Sequence, residues 1–122
     1  MNIETALKEA MAIEGALGAA LVDWESGMTL GTLGGGKYLD LDLAAAGNTE
    51  VIKAKVRTLE SLRLSDTVED ILITLSTQYH IIRLLKNTTG HGLFMYLVLD
   101  RSKANLALAR HHLKTIEGEL TV

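Results

Sequence analysis

Residues 40–62 constrain this chain more than any other segment. At about 100° per residue, Leu43, Ala44, Gly47, Val51, Ala54, Thr58 and Leu62 fall on one side of a helix, while Ala45, Ile52, Val56 and Leu59 lie roughly a third of a turn away. Asp40 or Asp42 is placed to cap it. That apolar arc is too wide for a single contact. Docking a helix on a sheet needs one stripe, so the other, rich in small residues, is expected to meet a second helix at close range. Alanines chosen for helix propensity alone are the competing explanation.

Around this helix the apolar period switches repeatedly. Ile3, Ala6, Leu7, Ala10, Met11 and Ile13 recur at helical spacing opposite Glu4, Lys8 and Glu9, with Gly15 as a stop. Two extended runs follow, Ala16 to Trp24 and Met28 to Leu33, joined by Glu25-Ser26-Gly27 as a hairpin connection. The first run is apolar on both faces and belongs inside a sheet. Beyond the long helix come Val68 to Ser76, with Ile71, Ile73 and Leu75 on one face, then Tyr79 to Lys86 and Leu93 to Asp100, with turns at 76–78 and 87–92. A last helix starts near Ser102, capped by Asp100 or Ser102, and carries Leu106, Ala109, Leu113, Ile116 and Leu120 on one face. The order is α-β-β-α-β-β-β-α. Three helices for five strands predict an α+β fold, an antiparallel sheet with helices on both faces, and not a doubly wound parallel one.

Composition narrows the function. A chain of 122 residues is expected to form one domain, 1–122. It contains no cysteine, so disulfides, thiolate metal sites and a cysteine nucleophile are excluded. The net charge of −3 and the five aromatic residues Trp24, Tyr38, Tyr79, Phe94 and Tyr96 argue against binding nucleic acid. No basic leader opens the sequence, and the apolar run Ala16 to Val22 is far short of the roughly 20 residues that cross a bilayer. A cytoplasmic protein without membrane insertion is the expectation.

The candidate chemical motifs are weak. Gly31-Thr32-Leu33-Gly34-Gly35-Gly36-Lys37 fits the start of a phosphate-binding loop, but Tyr38 stands where a magnesium-binding hydroxyl is required, and the preceding strand belongs to a hairpin. A flexible glycine-rich connection is the better reading. His80, His91, His111 and His112 show no metal-ligand spacing, and no cofactor or metal is expected. Ser26, Ser76 and Asp23 have no positioned partner that would make a nucleophile. Asp66, Glu69 and Asp70 cluster at the start of a strand and are the candidate acidic surface for a partner.

Leu17-Gly18-Ala19-Ala20-Leu21-Val22-Asp23, the Gly27-Met28-Thr29-Leu30 run, the long helix, and above all Tyr96-Leu97-Val98-Leu99-Asp100-Arg101-Ser102-Lys103-Ala104-Asn105-Leu106-Ala107-Leu108-Ala109-Arg110 resemble the roadblock/dynein light chain family over nearly the whole chain. The resemblance implies a profilin-like or longin-like fold in the order read above. It also implies a non-catalytic homodimer or heterodimer that regulates or scaffolds a small Ras-like GTPase. Dimerisation would pair the second helix and third strand across a two-fold axis, through Ala44, Gly47, Val51, Ala54 and Thr58, with Ile71, Ile73 and Leu75 edge to edge. Bacterial members often accompany a GTPase and a sensor-kinase-like protein in one gene cassette. Arg63 and Arg101 are the arginines expected in loops, where an activating protein would present one. The alternative is a ligand-sensing module whose cupped sheet holds a small molecule.

Overall fold

The computed structural model describes residues 1–86 and 92–122. The elements run α1 (Ile3–Met11), β1 (Ala16–Asp23), β2 (Met28–Gly34), α2 (Leu41–Ser61), β3 (Asp70–Thr74), β4 (Gln78–Leu84), β5 (Leu93–Asp100) and α3 (Leu106–Glu119). The strands form one sheet in the order β2-β1-β5-β4-β3, and every neighbouring pair is antiparallel. The α+β class, the element order and the helices on both faces are as expected from the sequence.

Pleating divides the core in two. On one face Leu21, Ile81, Met95, Leu97 and Leu99 pack against Ala6, Leu7 and Ala10 of α1 and Ala109, Leu113 and Ile116 of α3. On the other, Ala20, Val22, Ile82, Phe94, Tyr96 and Val98 pack against Leu41, Ala45 and Ile52 of α2. The doubly apolar strands β1 and β5 lie side by side near the middle of the sheet, since both of their faces are covered.

Local chemistry fixes the helix ends. Asp40, not Asp42, caps α2 by accepting from Leu43 N at 3.0 Å, while Asp42 accepts from the Thr29 hydroxyl at 2.7 Å. The last helix begins later than its apolar period suggests. Asp100 accepts from Ser102 N and Ser102 Oγ in a local turn, so neither residue caps α3; Asn105 does, accepting from Leu108 N at 3.1 Å. Gly15 is not the stop of α1, whose C-cap is Ala12.

The glycine-rich connection after β2 is a packed turn. A Cβ on Gly34 would stand 2.8 Å from Leu17 O, and one on Gly35 would stand 2.8 Å from Leu39 O. Gly35 N donates to Leu17 O, and Gly36 and Leu39 exchange backbone bonds. Those amides are spent inside the fold, so the segment makes no phosphate cradle. The expected turn at 87–92, apart from Gly92, and His91 lie outside the described residues.

Candidate interaction face

α2 does not lie centrally on its side of the sheet. Its backbone runs nearest β1 and β2, with Lys53 Nζ donating to Glu25 O in the first hairpin; its buried side chains reach β4 and β5, and the β3 side is left open. Between the far flank of α2 and the start of β3 runs an open groove of about 560 Å³, lined by Val51, Ala54, Lys55, Thr58, Val68, Asp70 and Ile71. Only one face of α2 is satisfied within the chain. Leu41, Ala45, Thr49 and Ile52 are buried, whereas Gly47, Val51, Ala54 and Thr58 are exposed and Ala44 is half-buried. Leu43 is 71% exposed. The Thr58 hydroxyl donates back to Ala54 O at 2.8 Å, so it offers no free donor to the groove.

The β3 edge continues this face. Among the described residues β3 pairs with β4 alone, Ile71 opposite Ile82 and Ile73 opposite His80, and its outer edge is unpaired. Ile71 and Ile73 are half-buried on the α2 side; Leu75 lies just beyond the strand and is exposed. Val51, Ala54, Thr58 and Ile71 therefore meet in one groove, whereas Ala44, Gly47 and Ile73 are not part of its lining and Leu75 lies past the end of β3.

The acidic cluster is split. Asp66 is exposed and accepts from Thr67 N; Glu69 is exposed and lies 3.6 Å from Lys86 Nζ. Asp70 is different from the exposed partner residue that the sequence suggests. Its side chain is 9% exposed, because Arg110 holds it by two bonds of 2.8 and 2.9 Å and Arg83 stands 3.7 Å away. Arg83 in turn donates to Glu117 Oε1 at 2.9 Å, and Glu117 Oε2 accepts from Lys86 N. A buried Arg needs such partners, so Asp70 is engaged in tying β3 to β4 and α3.

A polar cluster underlies the groove side of α2. Tyr96 Oη and His80 Nδ1 are 2.9 Å apart, and His80 Nε2 is 2.9 Å from Gln78 Oε1. The rings of His80 and Tyr96 meet edge to face. Burial holds the imidazole below its ordinary pKa. It also pushes the Tyr96 phenol up, with the Asn48 side chain pulling partly back. That contact is not a well-formed hydrogen bond, since the buried Asn48 Nδ2 has no partner within bonding geometry among the described residues. The sequence weighs His80 only as a metal ligand, although its two-residue offset from Ile82 places it on the α2 side of β4.

The loop arginines are not alike. Arg63 is exposed at φ 56° just past α2, whereas Arg101 donates to Leu75 O at 2.7 Å and lies over the Tyr79 ring. His111 and His112 are exposed on α3. A second, smaller groove of about 280 Å³ separates α1 from α3, with Ile13, Ala109 and Ile116 lining it beside Glu9, Glu14 and His112. Among the described residues no group of three or more His, Asp or Glu could hold a metal, and no helix is long and apolar enough to cross a membrane.

No protein-family model matches the sequence, and no curated protein is significantly similar to it. Solved structures are. A Roadblock/LC7 domain from Streptomyces avermitilis superposes with a TM-score of 0.78 at 13% identity, over 97% of this chain and 93% of that one. The chain has the Roadblock/LC7 fold. The gliding protein MglB from Thermus thermophilus shares the Roadblock/LC7 fold with a TM-score of 0.78 at 19% identity, covering 93% of this chain and 82% of that one. MglC from Myxococcus xanthus follows at 0.61 and 20% identity, over 98% and 96%. At these identities the likeness carries the Roadblock/LC7 fold, and residue roles rest on the geometry above.

Proposed function

We propose that this protein is a non-catalytic regulator or adaptor of the roadblock family, which acts as a homodimer and binds a small Ras-like GTPase in a cytoplasmic signalling complex. The observation that carries the reading is the open side of α2. An apolar helix flank and an unpaired strand edge lie next to each other, and a second copy turned about a two-fold axis would bring its own helix and strand to the same place. Ala44, Gly47, Val51, Ala54 and Thr58 would form the helix seam, and Ile71, Ile73 and Leu75 the strand seam. The fold shared with MglB and MglC supports the roadblock assignment. Asp66 and Glu69 are exposed beside this edge and suit a basic patch on a partner, while Asp70 is already engaged within the chain.

The same reading gives the protein no chemistry of its own. Both loop arginines are exposed, but the Arg101 guanidinium is engaged by Leu75 O and the Tyr79 ring, so Arg63 is the better placed for contact with a GTPase, and a scaffold that repositions the GTPase's own residues needs neither. A sensor-kinase-like protein is a further partner of this complex. Light scattering at micromolar concentration should give twice the chain mass, and a monomer would remove the dimer. Co-purification with small Ras-like GTPases in each nucleotide state, followed by turnover with and without this protein, separates scaffold from activator. Failure of every nucleotide state to bind would overturn the GTPase assignment.

A further inference from the structure

We propose that His80 makes the α2–β3 association of two copies sensitive to pH, with protonation of its imidazole driving the dimer apart. This rests on the dimer proposed above and adds to it a regulatory group. His80 sits on the α2 side of the sheet, opposite Ile73 of the edge strand and opposite Val98 of β5, and bonds Tyr96, on which the Asn48 side chain of α2 also acts. It is half-buried, so in the single chain one side of the ring still meets water.

Its two bonds are satisfied by the neutral ring. Nε2 faces the Gln78 carbonyl oxygen, an acceptor only, and so carries the hydrogen; Nδ1 is then a bare acceptor for the Tyr96 hydroxyl. A second proton on Nδ1 would turn that acceptor into a donor and force the buried Tyr96 hydroxyl to find another acceptor. In the single chain water can solvate the imidazolium. A partner strand and helix seated beside Ile73, the residue opposite His80, would take that water away and leave the charge without a counterion. Among the described residues, those its bonds and strand pairs bring to it offer none: Tyr96 and Val98 on β5, Ile73 on β3 and Gln78 on β4 are uncharged, as is Asn48 of α2 beside Tyr96. Of the charged groups lining the groove, Lys55 is a cation, and the Asp70 carboxylate is held by Arg110 and Arg83.

The sign follows from linkage. A group whose pKa is lower in the dimer than in the monomer leaves association intact at high pH and weakens it as pH falls through the monomer value. Two imidazoles per dimer allow the dissociation constant to rise by as much as about 100-fold per pH unit between the two pKa values. Sedimentation of the full chain from pH 7.5 to 5.5 should show a rise of about 10-fold or more in the wild type, and a flat profile in His80→Gln. The His80 imidazole, followed by NMR, should titrate at lower pH in concentrated than in dilute protein, which keeps the test sharp if the variant folds poorly.

A wild-type dimer whose affinity is unchanged over this range overturns the role of His80 and leaves the dimer standing. So does a His80→Gln dimer that keeps the pH dependence. A monomer at pH 7.5 overturns the dimer itself and this proposal with it.

Discussion

Arg83 shows how much one buried residue can demand of a chain. Its guanidinium is nearly inaccessible, and it holds Glu117 from α3 on one side and Asp70 from β3 on the other. Removing one partner leaves charge in a dry site, which costs far more than the pair gains. Glu117→Ala should therefore lower the unfolding free energy by about 3 kcal/mol in chemical denaturation. The exposed pair Glu4–Lys8, 3.1 Å apart on α1, gives the contrast: Lys8→Ala should change stability by about 0.5 kcal/mol or less. Equal losses in the two variants would show that Arg83 does not depend on Glu117. None of this was legible in the sequence. Arg83 and Glu117 are 34 positions apart, and Asp70 reads as part of an exposed acidic run until a fold brings Arg110 beside it.

At the scale of elements, periodicity located what packing later confirmed, and it erred at the ends. β5 has the extent its apolar run indicates; β3 is shorter, because an edge strand keeps only the rungs that β4 pairs. The start of α3 depended on which of Asp100, Ser102 and Asn105 turned its oxygen to the helix amides, and that is decided by the turn after β5. α2 shows most. Gly47 stands in its interior, on the exposed side, and a Cβ there would meet nothing within 4 Å. Within one chain a glycine at that place only weakens the helix. Gly47→Ala should raise the stability of the dilute, monomeric chain by about 0.5–1 kcal/mol and at the same time weaken self-association. A variant that self-associates as tightly as the wild type would show that no second helix approaches at Gly47.

At the scale of the molecule, the sheet ends in two edges of different character. β2 is flanked on its α2 side by the helix, whereas β3 has bare floor beside it and a helix flank facing that floor. Val51 stands in the middle of this open side and is partly exposed. Val51→Arg adds a long cation there while touching little inside the chain, so it should halve the mass seen by light scattering and leave the far-ultraviolet circular dichroism unchanged. A Val51→Arg protein that remains dimeric would place the interface elsewhere.

The sequence by itself determined the element order, the antiparallel sheet and the two-stripe helix, because apolar period is a local property that each element must satisfy to bury its own face. It also carried the resemblance through which a fold shared at 13–20% identity could be read. The tertiary structure alone decided which stripe of α2 the sheet takes, that Asp70 turns inward while Asp66 and Glu69 stay in water, and that His80 meets Tyr96 beneath the open side. Those outcomes depend on where α2 sits across the sheet and on which strands are neighbours. Such choices are made by contacts between residues far apart in the chain, and no local pattern records them.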